Sequence, residues 1–309
     1  MSKTAFIFPG QASQYPGMGK DFYEKYDIAR KYYDMANEIL GFDIKTISFS
    51  GGDEELKQTR NTQPAVFVLS VIIHELLKLK NIIPDFAAGH SLGEYAALTA
   101  AGVISFTDAL EIVKLRSAEM QRAGEKNPGI MAAVVGLGSD EVIRICTASG
   151  SAGIVQAANF NSPVQTVISG SIEGVHCAMK AAKEAGALIV KELDVSGAFH
   201  SPLMHSAFEP LKKELQKRTF KDADFDVVPN VTAIAERSGS VLRELLAQQL
   251  TSPVKWSESI EFMISKGVTR FVETGPGKVL KGLVRSISKG VTVTCVGTVE
   301  ELENINGSN

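Results

Sequence analysis

The stretch Phe86-Ala87-Ala88-Gly89-His90-Ser91-Leu92-Gly93 restricts the possible folds of this chain more than any other. A short apolar run ends in a glycine, passes through His90 and Ser91, and enters a helical pattern that stops at Gly102. Glycines stand two residues to either side of the serine, as a sharp strand-to-helix turn with an exposed hydroxyl at its apex requires. Such a turn belongs to a parallel sheet with crossover helices. The rest of the first half agrees: Thr4 to Phe8 reads as a strand and Pro64 to Leu79 as a buried helix. The expected class is α/β.

Between 129 and 195 the pattern changes. Ile130 to Leu137 reads as a strand, Ser139 as the cap of a helix, and Ile154 to Ala158 and Gln165 to Ser169 as strands. Ser171 caps a second helix, and Ala187 to Val195 is a last strand. The order βαββαβ is the ferredoxin-like arrangement. Asn127-Pro128-Gly129 and Ser196-Gly197 are its expected crossing points, and an α/β pattern resumes with the strand Phe271 to Glu273 before Gly275-Pro276-Gly277. Residues 1–128 and 197–309 are therefore expected to form a large subdomain, with 129–196 a small one inserted into it.

Composition narrows the function. The net charge is −3, from 32 basic and 35 acidic residues, so no global field attracts nucleic acid or an anionic membrane. No apolar run is read as reaching a membrane span, and the chain is expected to be cytoplasmic. Cys146, Cys177 and Cys295 are odd in number and lack CxxC spacing, so they are expected to be small core residues, with no disulfide framework and no metal site.

A serine at such a turn would be a nucleophile, with the helix N-terminus offering free N–H groups to a developing oxyanion. It needs a base. His176 shares a helical face with Lys180 and Lys183 and reads as solvated; His74 reads as packed in an apolar helix. His90 should point to the other side of the sheet by strand alternation. His205 falls in the first turns of a helix capped by Ser201, with Pro202 at its first position. His200 remains, in the loop Gly197-Ala198-Phe199-His200-Ser201 at a strand end, either as the base or as an ordinary loop histidine. Arg116 lies within the apolar stripe Ala109, Ile112, Val113 and Met120 of the helix Asp108 to Arg122. A guanidinium aimed at the core needs an anion: a buried acidic side chain, or a substrate carboxylate in a bidentate clamp. Lys278, Lys281, Arg285 and Lys289, spaced 3, 4 and 4, are expected to share one face of a helix, either simply solvated or docking an acidic partner.

Taken together, these residues identify a resemblance. The chain resembles the bacterial malonyl-CoA:acyl carrier protein transacylases along nearly its whole length. The resemblance runs through Phe8-Pro9-Gly10-Gln11, Asn61-Thr62-Gln63-Pro64-Ala65, Gly89-His90-Ser91-Leu92-Gly93-Glu94, Arg116, Gly197-Ala198-Phe199-His200-Ser201, Gln249-Leu250, Pro253-Val254 and Gly275-Pro276-Gly277-Lys278-Val279-Leu280. It implies an α/β-hydrolase-like large subdomain with a ferredoxin-like insert. It also implies Ser91 as the acylated nucleophile, His200 as its base, and a main-chain carbonyl at Gln249 orienting that base in place of a triad acid. Arg116 would grip the malonyl carboxylate, and the N–H groups of Gln11 and Leu92 would form the oxyanion hole. No cofactor is implied; the substrates are malonyl-CoA and phosphopantetheinylated acyl carrier protein, and a monomer is the family norm. The Phe199-His200 pair resembles the malonyl-selective form of its motif.

One position departs from the family pattern. Ala12 stands where the family has a second glycine after the first strand, so a positive φ there would strain the loop. The alternatives are a polyketide-pathway malonyl transferase, a serine thioesterase or hydrolase with water as acceptor, and a non-catalytic subunit that docks a carrier protein.

Overall fold

The computed structural model describes residues 2–305. Among the described residues nine strands form two sheets: β1 (Lys3–Phe8), β2 (Phe86–Gly89), β3 (Ile130–Val135), β4 (Val155–Ser162), β5 (Gln165–Gly170), β6 (Ile189–Glu192), β7 (Asp226–Val227), β8 (Val268–Thr274) and β9 (Thr292–Val296).

The first sheet has the order β7-β2-β1-β8-β9 with every pair parallel. Its strands alternate between two apolar layers, Phe6 and Phe8 facing one and Ala5 and Ile7 the other, so helices cover both faces. The second sheet is antiparallel with order β4-β5-β3-β6. Numbered within that segment, this is 2-3-1-4, the order a ferredoxin-like βαββαβ unit adopts. One face packs its own small core of Ala132, Val134, Ile168 and Val175, and the other turns toward the parallel sheet.

Several boundaries differ from expectation. The helix read as beginning at Pro64 spans Thr59–Leu79 with Pro64 inside it. The polar residues before the proline are buried because each has a partner: Asn61 Nδ2 donates to Glu55 O at 2.8 Å, and Thr62 Oγ1 donates to Leu56 O. This helix is also long and apolar enough to cross a membrane by length and composition, correcting the expectation that no such run exists. In the fold, 83% of the relevant window is buried, and the helix runs through the core. Gly138 rather than Ser139 occupies the N-cap of the helix Ser139–Ser149, whereas Ser171 does cap its helix by accepting from Gly174 N–H. Cys146 and Cys295 are buried, but Cys177 is exposed.

Candidate active site

Parallel pairing of β1 with β2 places Phe8 opposite Gly89, so the loops that follow both strands emerge side by side at the C-terminal edge of the sheet. The two glycines of the serine turn are required by contact. A Cβ on Gly89 would lie 1.9 Å from the Gly93 carbonyl carbon, and one on Gly93 would lie 2.0 Å from Phe8 O. Ser91 itself takes φ +50°, a left-handed conformation costing a non-glycine residue about 1–2 kcal/mol. Surrounding groups hold it there. Asn230 Oδ1 accepts from Ser91 N–H at 2.8 Å, Asn230 Nδ2 donates to Gly89 O at 2.6 Å, and Gln249 Nε2 donates to Ser91 O at 2.9 Å.

Ser91 Oγ lies 2.8 Å from His200 Nε2. His200 Nδ1 is 2.9 Å from Gln249 O and 3.2 Å from Ser252 O, and a carbonyl can only accept. Nδ1 therefore carries the proton, and Nε2 presents its lone pair to the serine hydroxyl. Among the described residues no carboxylate bonds the ring. Burial and the nearby Arg116 charge push His200 down to about 3, so its imidazole is neutral at ordinary pH.

Arg116, on the helix Phe106–Lys126, is 1% exposed. Its NH1 donates to Gln63 Oε1 at 2.7 Å, and its NH2 to Ser91 Oγ at 3.1 Å and Gln249 Oε1 at 3.2 Å. Among the described residues it forms no ion pair, so the alternative of a buried acidic partner within bonding distance is not what the fold provides. Ser91, Leu92, Arg116, His200 and Gln11 all border one cavity of about 300 Å³. Met131, Ala133 and Val167 of the antiparallel sheet form its opposite wall. Gln249 does not border the cavity; it lies beneath Ser91, bonded to His200, Arg116 and Glu94.

The Gln11 and Leu92 N–H groups have no hydrogen-bond partner among the described residues, as an oxyanion hole requires. Ala12 does take φ +77°, while its N–H donates to Gln14 Oε1 at 2.8 Å. The loop thus keeps its shape at the expense of local strain. Replacing Ala12 by Gly is expected to raise stability by about 1 kcal/mol without changing turnover. Thermal unfolding checks this, and a lower Tm would show that the alanine is not strained.

The ring of His90 lies against Trp256, in the apolar layer of Phe86 and Ala88, on the side strand alternation assigns it; the residue also borders the cavity, with Nε2 2.8 Å from Asn161 Oδ1. One expectation is corrected here: the four-cation helical stripe is absent. The helix spans Val279–Ile287 and carries only Lys281 and Arg285; Lys278 is its N-cap and pairs with Glu301 at 2.9 Å, and Lys289 lies beyond its end. The other histidines are where they were expected: His74 sits edge-on between Phe6 and Phe8, and His176 is exposed beside Glu192. Gln63, Glu94, Asn161 and Asn230 were not singled out as site residues. Of these, Gln63 and Glu94 stand inside the quoted motifs, while Asn161 and Asn230 carry no local signal.

Comparison with known proteins matches the geometry. Residues 5–302 match the family described as "Acyl transferase domain". The malonyl CoA-acyl carrier protein transacylase of Bacillus subtilis (strain 168) is 44% identical over 98% of this chain and 96% of its own length. Its counterpart in Staphylococcus aureus (strain MRSA252) is 42% identical over 99% of both. Among solved structures, an acyl carrier protein S-malonyltransferase from Vibrio cholerae is 39% identical and superposes with a TM-score of 0.94, covering 98% of this chain and 99% of that one. A malonyl-transacylase solved in complex with a type II PKS acyl-carrier protein is 38% identical, with a TM-score of 0.94 and 98% coverage of both chains. With a paired serine and histidine at the turn and likeness along its whole length, the chain belongs to the acyl transferase family, among the malonyl CoA-acyl carrier protein transacylases.

Proposed function

We propose that the protein moves a malonyl group from malonyl-CoA to the phosphopantetheine thiol of an acyl carrier protein through a malonyl-Ser91 ester, supplying fatty-acid synthesis. The observation that carries this reading is the sharing of one hydroxyl: Ser91 Oγ is 2.8 Å from His200 Nε2 and 3.1 Å from Arg116 NH2. A base and a guanidinium fork on one serine suit an acyl group that ends in a carboxylate.

His200 Nε2 takes the Ser91 proton as Oγ bonds to the thioester carbonyl carbon, and the oxyanion settles on the N–H groups of Gln11 and Leu92. Collapse breaks the C–S bond, and the departing CoA sulfur receives the proton from His200. The carrier thiol then gives its proton to His200, attacks the ester carbonyl, and Ser91 leaves with that proton restored. No step calls for a metal or cofactor. Arg116 holds the carboxylate away from the attacking sulfur, and the two-sheet cavity, bounded by the segment 129–196, screens the ester from water. Lys281 and Arg285, on the helix whose Val279 and Leu280 border the cavity, are the cations offered to an acidic carrier.

Incubation with malonyl-CoA is expected to leave a malonyl ester on Ser91, seen by peptide mass spectrometry, and adding phosphopantetheinylated carrier protein should discharge it. Discharge at the same rate in buffer alone would favour the hydrolase. Absence of an ester on Ser91 would remove the transacylase.

A further inference from the structure

The glutamate three residues after the nucleophile takes no part in the steps above, yet it is 0% exposed beneath them. Glu94 lies in the first turn of the helix Gly93–Ala100. Its Oε2 accepts from Asn230 N–H at 3.0 Å and from Gln249 Nε2 at 2.9 Å. Those two residues are the ones that grip the nucleophile's backbone, Asn230 at Ser91 N–H and Gln249 at Ser91 O. Gln249 also turns its main-chain oxygen to His200 Nδ1 and its side-chain oxygen to Arg116 NH2. A single carboxylate oxygen therefore closes a ring through both supports of the left-handed Ser91 and reaches the orienting partner of the base.

We propose that Glu94 is a positioning residue: it fixes Asn230 and Gln249, and through them the Ser91 backbone and the His200 ring. This rests on Ser91 acting as the nucleophile. Glu94 makes no hydrogen bond to Ser91 Oγ, His200 or Arg116; its charge acts on Arg116 through space, and its hold on the Ser91 backbone and the His200 ring passes through the two amides. Its second oxygen, Oε1, has no hydrogen-bond partner among the described residues. That asymmetry supplies the test. A glutamine at 94 can set its carbonyl oxygen where Oε2 lies and keep both bonds, whereas alanine loses both.

The experiment measures the rate constant for Ser91 acylation in the full-length protein, per acylatable serine from the burst amplitude, with malonyl-CoA and with acetyl-CoA. Glu94→Ala is expected to slow both by about 10²-fold, the scale of a misplaced reacting group, while the KM for malonyl-CoA changes less than about threefold. Glu94→Gln should recover most of the rate. Loss confined to malonyl-CoA, loss appearing only in KM, a Glu94→Ala rate within threefold of the parent, or a folded Glu94→Gln protein as slow as the alanine variant would each overturn the role. If Glu94→Ala does not fold, Glu94→Asp decides: a carboxylate drawn back by one methylene cannot reach both amides, so an equal slowing of both acyl groups supports the positioning ring, and an unchanged rate rejects it. An unaltered protein that forms no ester on Ser91 would instead overturn the transacylase reading, and the positioning role with it.

Discussion

Arg116→Ala is expected to lower kcat/KM for malonyl transfer by about 10²- to 10³-fold and acetyl transfer by less than tenfold. The reasoning starts from burial. The guanidinium is 1% exposed, and its partners within bonding distance are two amide oxygens and a serine hydroxyl, all neutral. A cation so placed has lost most of its hydration and hydrogen-bonds no anion, the Glu94 carboxyl acting on it only through space, and a substrate carboxylate would supply the bonded charge. Charge-assisted hydrogen bonds contribute about 1.5–3 kcal/mol each. A two-pronged contact, less the cost of releasing Gln63 or Gln249, leaves about 3–4 kcal/mol, which is the stated factor. The acetyl group has no carboxylate, so its loss reflects only the contact of NH2 with Ser91 Oγ. Arg116→Lys should fall between, keeping the charge but not the planar fork. Steady-state transfer from malonyl-CoA and acetyl-CoA to the same acceptor checks this; equal losses for the two donors would show that Arg116 orients the serine and does not bind the acyl carboxylate.

How much of this site was legible in the sequence follows the range of the interactions. The strand–serine–helix turn is local, and its glycines are demanded by backbone contacts a few residues away or across one strand pair. The βαββαβ segment was readable for the same reason, since its strands pair within about sixty residues of one another. Arg116 was legible because a charge inside an apolar helical stripe breaks a periodic pattern. The ring around Glu94 was not. Asn230 and Gln249 reach it across 136 and 155 residues, and neither breaks a period nor completes a spacing. Alternation carried one residue past the end of β2 still sets the His90 ring on the face of Phe86 and Ala88, against Trp256. The basic stripe was misread because helical spacing was applied to Lys278 and Lys289, which flank the helix, and the partner of Lys278 comes from the C-terminal helix Val299–Asn304. Helical periodicity reports on a face only while the helix lasts.

Ser91→Ala and His200→Ala are each expected to reduce kcat by about 10⁴-fold or more, and the double variant should be no worse than the poorer single one. Nucleophile and base form one proton-transfer unit, so removing either disables it. What survives is the binding of malonyl-CoA, whose affinity should change little in Ser91→Ala because Arg116 and the cavity remain. The histidine adds a second, independent readout. Its Nδ1 donates to carbonyls that carry no full charge, and burial with the Arg116 cation beside it pushes the ring down to about 3; His90 lowers it further, while the two carbonyls act in the opposite direction. The sign is fixed by what the base must do. It works only when unprotonated, and a depressed value keeps it unprotonated as the medium becomes acidic. A histidine near its usual 6.5 would lose about 30-fold of its neutral form by pH 5, so Ser91 acylation should follow that decline if the ring were ordinary. The expected profile is nearly flat between pH 7 and pH 5, read with a small neutral acylating or sulfonylating reagent so that the substrate's own carboxylate and Arg116 do not enter. Glu94 titrates in the same span, since burial pushes it up to about 7, so the profile is repeated in Glu94→Gln. Protein stability runs the other way: below about 6.5 the unfolded chain takes up a proton that native His200 refuses, and the histidine's contribution falls as pH falls. Rates are therefore measured over times short compared with unfolding. An acid limb centred near 6.5 in both proteins would mean that the ring is solvated in solution and that the base is not the buried imidazole paired with Ser91.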